Sequence, residues 1–246
     1  MNVSKLKSYA PYILSITALL VFITYLHRNA DRYRQLLDLS VGAISLLLGL
    51  VLMFTFTNGL INYLLYRQLG VVLTFNESIG LAAVNTLANQ LPFAGGMIAK
   101  GIYLKQKYEL AYTRFLSATL ALYVCFVAAN GAIGIAVLAR WSLVDNKVLP
   151  MPLLLGFLGM LTTVFLLWLP TDVSFVPSKW GQRLAQLMDG WQVLSQNWLL
   201  VGKLVGLQML MTLMFAGRFW IAFHALSQDV TLAQCLLFSA ATILTR

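Results

Sequence analysis

Asn-Thr-Leu-Ala-Asn-Gln-Leu-Pro-Phe-Ala-Gly-Gly-Met-Ile-Ala-Lys-Gly-Ile-Tyr-Leu-Lys-Gln-Lys, from Asn85 to Lys107, interrupts an otherwise apolar chain. Apolar segments of hydrocarbon length lie on both sides of it. The stretch itself holds two asparagines, a proline, a glycine pair and three lysines. Irregular polar backbone is tolerated at membrane depth only where protein covers it or where it lines a wet cavity. Function is expected here.

The surroundings make the membrane reading firm. Of 246 residues, 60% are hydrophobic and 10% charged, with a mean hydropathy of +0.80, whereas a soluble domain carries about 25% charged residues. The chain is therefore expected to be all-α, a polytopic helical bundle forming a single transmembrane domain over residues 1–246. The net charge of +9 does not indicate nucleic acid, which requires a water-facing basic surface. The cations sit in short connections between apolar spans, where topology and anionic headgroups explain them. Cys125 and Cys235 fall inside apolar spans without a CxxC or histidine partner, so neither a disulfide framework nor a metal site is expected.

Outward from the central stretch, apolar runs predict spans at about 9–26, 39–66, 115–139, 148–169 and 199–226, with a partial one at 232–246. Residues 71–91 pair with 97–112 as a broken span. Lys5 and Lys7 before the first run resemble a signal peptide, but no small-x-small cleavage site follows, so it reads as a helix. Asn58 and Asn62 are four apart and share a face, suited to bonding a neighbouring helix. Pro92 ends the helix before it, and Gly95-Gly96 frees the backbone to turn. Lys100, Tyr103 and Lys107 then share a face. Ala128, Ala132 and Ala136, and separately Gly202 and Gly206, have the spacing of close-packing stripes.

Between residues 178 and 197, Trp180, Leu184, Leu187, Trp191 and Leu194 recur at helical spacing, predicting an interfacial helix capped by Ser178. Arg218, in the middle of the last full span, is open to two readings: a structural pair or snorkel, or a substrate contact. Leu232 to Leu244 is too short to span, and the chain reads as interrupted in mid-helix. With a cytoplasmic amino terminus and a re-entrant 71–91 segment, the Lys100–Arg114 cluster joins Lys5, Lys7, Arg67, Lys179 and Arg183 on one side. A full crossing at 71–91 also leaves that cluster inside.

No GxSxG, HExxH, P-loop or GxGxxG pattern occurs, and no close carboxylate pair lies in a span. The sequence does not read as an enzyme, and it calls for no cofactor. It offers an anion site instead. Gly95-Gly96 opening a helix presents free N–H groups, Lys100 follows within about a turn and a half, and Asn85 and Asn89 add amide donors.

Asn85 and Asn89, Leu91-Pro92, Gly95-Gly96, Lys100, Tyr103-Leu104-Lys105 and the run from Leu110 to Phe115 together resemble the flippase-like membrane region of the lysylphosphatidylglycerol synthase family. The resemblance covers most of the chain. It implies a multi-pass protein of the bacterial cytoplasmic (inner) membrane that handles an anionic phospholipid or a polyprenyl-phosphate-linked lipid. By the same resemblance Asn89, Pro92, Gly95, Gly96 and Lys100 form the headgroup region. Met97 stands where many relatives carry glutamate, which resembles the subset linked to polysaccharide or glycolipid pathways. Relatives continue into a second Pro/Gly-rich break, which this chain does not reach, and the aminoacyl-transfer domain of the synthases is absent. Expected partners are a phospholipid or lipid-linked saccharide. A scaffold that anchors a glycosyltransferase without moving lipid is the alternative, and a membrane-embedded transferase the third.

Overall fold

The computed structural model describes residues 24, 28, 40–88, 95–145, 148–168, 191 and 196–242. Among the described residues, helices run in the order α1 (Val41–Gln68), α2 (Phe75–Ala88), α3 (Gly95–Tyr108), α4 (Tyr112–Leu143), α5 (Met151–Trp168), α6 (Trp198–Ala225) and α7 (Leu232–Ala241). Helices α1, α4, α5 and α6 lie where spans were expected at 39–66, 115–139, 148–169 and 199–226, each end differing by one to four residues. The first predicted span, Ser178 and most of the interfacial helix lie outside the described residues.

Four helices, α1, α4, α5 and α6, are long and apolar enough to cross a membrane. Their outward faces carry Leu52, Phe56, Leu155, Phe165 and Leu213, all exposed, as a lipid-facing surface requires. The chain is a multi-pass membrane protein. Its α4 and α6 are the most enclosed spans, and α4 packs against α5, α6 and α7.

The described parts of α2 and α3 have 14 residues each, about 21 Å of helix against the roughly 30 Å of hydrocarbon. They are antiparallel, because Glu77 at the start of α2 meets Tyr103, Lys107 and Tyr108 at the end of α3. Both open ends of this hairpin therefore lie at the end of the bundle where α1 finishes and α4 begins. The connecting residues 89–94, with Pro92, are outside the described residues. Arg67, Lys105, Lys107 and Arg114 gather at the open end, which agrees with the re-entrant reading of 71–91.

Local chemistry sets the turns on either side. Gly70 adopts φ 83°, a left-handed conformation open to glycine, and Val71 N–H donates to Tyr66 O at 3.0 Å. At the other arm Glu109 takes φ 54°, and Leu110 N–H donates to Leu104 O. This turn separates α3 from α4, so the helix expected to run to residue 112 stops at Tyr108. Asn197 caps α6 by accepting from Leu200 N–H and donates to Gln68 Oε1 at 3.3 Å, fixing the start of α6 beside the end of α1. Trp191 is buried and donates from Nε1 to Leu167 O at 2.9 Å.

Two packing expectations need correction. Ala128 and Ala132 are only half-buried and Ala136 is exposed; the close approach of α4 and α5 uses Gly131 and Gly134 instead. A Cβ on Gly134 would lie 2.5 Å from the Phe157 ring, and one on Gly131 would lie 3.0 Å from Leu161. Gly202 and Gly206 are exposed, with nothing within 4 Å of an added Cβ, so they pack against no described residue.

Phe157 is fully buried and has no space to retreat. Gly134→Ala should destabilise the protein by about 1–3 kcal/mol, while Gly49→Ala, with nothing within 4 Å of its Cβ, should not. Melting of the two purified variants in detergent checks this; equal melting temperatures would contradict the packing.

Candidate functional site

Lys100 is placed by α3 on the face that meets α1. Its Nζ donates to Asn62 Oδ1 at 2.6 Å and lies 5.1 Å from the centroid of the Tyr66 ring. Asn62 and Tyr66 are four residues apart, so they share one face of α1, and both are fully buried. The close approach of α1 and α2 is made at Gly59, where an added Cβ would lie 2.8 Å from Ile79. Among the described residues, no carboxylate forms an ion pair with Lys100.

Two cavities flank this ammonium. One, of about 240 Å³, is lined by Asn58, Asn85, Met97, Lys100, Phe115, Thr119, Leu122, Tyr123, Phe126 and Gln208. The other, of about 380 Å³, lies between the hairpin arms and is lined by Glu77, Gly80, Leu81, Val84, Asn85, Ala99, Lys100 and Tyr103. Asn85 and Lys100 line both. A cation between two partly polar cavities can bind an anionic oxygen. Among the described residues there is no cluster of three His, Cys, Asp or Glu that could hold a metal, and Cys125 and Cys235 are free and buried.

The open end of the hairpin is closed by Glu77. Its carboxylate accepts from Lys107 Nζ at 2.5 Å, from Tyr108 Oη at 2.7 Å and from the Tyr103 hydroxyl. Thr74 N–H adds a fourth, longer bond at 3.4 Å. These donors, Lys107 foremost, hold the Glu77 carboxyl well below the usual carboxylate value, at about 2. The cluster pins α2 to α3 at the mouth of the 380 Å³ cavity.

The residues expected at the site are distributed as follows. Asn85 and Lys100 come together at the cavities, and Met97 lines one of them. Gly95 and Gly96 open α3, with Gly96 buried. Asn89 and Pro92 are outside the described residues. Arg218 lies elsewhere: it is ten residues beyond Gln208 on α6, about 15 Å along the axis, and its guanidinium rests 5.6 Å from the Phe215 ring.

Sequence reasoning missed Gln208, Glu77, Tyr108 and the role of Asn62. Glu77 had a legible signal, as one of few acids in an apolar stretch, and so had Asn62, through its spacing from Asn58. Nothing in the sequence paired Asn62 with Lys100, 38 positions away.

Because the folded state holds Glu77 ionised, its contribution is present above the unfolded carboxyl value near 4.5 and is lost as pH falls from there toward 2. Glu77→Gln should therefore melt lower than the parent at pH 7. That difference should shrink progressively below about pH 4.5, as followed by detergent melts across pH. A pH-independent difference would contradict the clasp.

Neither a curated protein nor a solved structure matches the chain. The family model described as the lysylphosphatidylglycerol synthase TM region matches residues 12–245. A match of that extent joins the broken hairpin and the polar cavities to one family: the chain belongs to the lysylphosphatidylglycerol synthase transmembrane-region family.

Proposed function

We propose that this protein is a flippase-like carrier that binds the phosphate-bearing headgroup of a membrane lipid beside Lys100, in the bacterial inner membrane. The observation that carries the reading is the Lys100 ammonium. It lies between two cavities, bonded to an amide oxygen and without a carboxylate partner among the described residues. A cation inside a membrane protein costs several kcal/mol unless paired or wetted, and an anionic headgroup supplies the missing charge. The surrounding apolar walls, with Phe115, Leu122 and Phe126 among them, suit the glycerol or prenyl portion next to that headgroup.

Membership of a lipid-related membrane family supports the same substrate class. The helical hairpin gives a physical route. Arms that do not cross the bundle leave a polar recess within it, which a headgroup can occupy while its tails stay in lipid. The basic open end, with Arg67, Lys105, Lys107 and Arg114, is assigned to the cytoplasmic face by the positive-inside rule. Anionic phospholipids and polyprenyl-phosphate-linked saccharides both carry the required group, and the second class connects the protein to envelope polysaccharide assembly.

Transport of fluorescent phosphatidylglycerol in proteoliposomes tests the reading. Lys100→Gln should lower transport about tenfold or more, with Asn85→Ala giving a smaller loss. Unchanged transport in both would remove the proposal. No transport by the parent chain, with a glycosyltransferase co-purifying, would favour the scaffold role.

A further inference from the structure

Two buried polar atoms of residues that touch Lys100 have no hydrogen-bond partner among the described residues: Asn62 Nδ2 and the Tyr66 hydroxyl. Buried polar groups are rarely left unpaired, because an unsatisfied donor forfeits its hydration without return. The Asn62 amide is orientated by chemistry. Its Oδ1 must face the Lys100 ammonium, which can only donate, and this leaves Nδ2 as a donor with no acceptor. Tyr66 is 0% and Asn62 1% exposed, so bulk solvent satisfies neither.

Three groups thus have protons with no acceptor among the described residues: the Lys100 ammonium, the Asn62 amide and the Tyr66 hydroxyl. The first two belong to groups in contact at 2.6 Å, and the Tyr66 ring centroid is 5.1 Å from the same ammonium. An internal water would offer an acceptor oxygen but would leave the ammonium uncompensated. An anionic oxygen supplies both the acceptor and the charge.

We propose that Asn62 and Tyr66 of α1, with Lys100 of α3, form a cradle for the anionic oxygens of one phosphate group. This assignment rests on the headgroup reading above and deepens it. It moves the contacts that fix the phosphate from the glycine pair at the start of α3 to a buried face of α1. Asn62 acts twice, holding Lys100 through Oδ1 and the ligand through Nδ2. Lys100 lines both cavities whereas Asn62 and Tyr66 line neither, so the oxygen reaches the cradle when the Lys100 side chain carries it inward from a cavity. The chemistry recognised is a phosphate oxygen, and a lipid phosphodiester and free phosphate both carry it.

Two conservative variants separate this from a structural role. Tyr66→Phe removes only the hydroxyl and keeps the ring beneath Lys100. Asn62→Asp places a carboxylate against Lys100 and so gives it an internal counter-charge. Binding of short-chain phosphatidylglycerol and, separately, of inorganic phosphate is measured on the full purified chain by ligand-dependent thermal shift and native mass spectrometry, beside Lys100→Gln. The cradle predicts about tenfold weaker binding in Tyr66→Phe at an unchanged or higher melting temperature, and loss of binding in Asn62→Asp. Phosphatidylglycerol bound in preference to inorganic phosphate assigns the cradle to a lipid headgroup, and the reverse preference assigns it to a free anion.

Parent-like binding in Tyr66→Phe and Asn62→Asp, with loss only in Lys100→Gln, overturns the cradle and leaves the headgroup reading standing. Parent-like binding in all three variants, or no binding of either probe by the parent, overturns both.

Discussion

The rest of this structure depends on α2 and α3 lying antiparallel, tied together at their open end by Glu77. These two helices stand where the order of spans would otherwise place one. Each arm keeps its backbone hydrogen bonds internal, as the bilayer demands, and the pair turns back within the bundle. The antiparallel pairing sets Glu77 and Asn85 of one arm and Lys100 and Tyr103 of the other around a single recess. It also brings α3 against α1, and with that Lys100 against Asn62.

The two ends of the hairpin are stabilised by different chemistry. At the open end Glu77 has a full complement of donors, and its charge is balanced by Lys107. Deeper in, the Lys100 ammonium has a single amide acceptor and no carboxylate among the described residues. The contrast separates the two roles: a satisfied cluster holds structure, and an unsatisfied one between cavities is equipped to bind. The Asn130–Thr212 bond between α4 and α6, at 3.1 Å, belongs to the first kind, because Asn130 also donates to Phe126 O and Thr212 to Gln208 O.

Much of this was legible in the sequence, and the reason is physical. Hydrocarbon thickness fixes the length of an apolar span, so α1, α5 and α6 could be bounded to within a few residues. The Pro92–Gly96 run marked the break, and Lys100 stood out as a cation in an apolar setting. What sequence could not supply was pairing between distant helices. Asn62 reads as an ordinary packing amide until α3 is laid beside it. The small-residue stripe misled because alanines and glycines of similar spacing occur on adjacent faces of α4, and only the Phe157 ring decides which face is used. Arg218 could not be located from depth alone, since a mid-span position says nothing about azimuth around the bundle.

The account depends most on the hairpin entering and leaving from one side. Val72 and Ala111 flank it, both exposed, and Asp145 lies at the far end of α4. Single cysteines at these three positions, labelled with a membrane-impermeant maleimide in sealed, orientated vesicles, report the side directly. Val72→Cys and Ala111→Cys should react from the same side and Asp145→Cys from the other. Reaction of Val72→Cys and Ala111→Cys from opposite sides would mean that the segment crosses the membrane, and the recess around Lys100 would not exist.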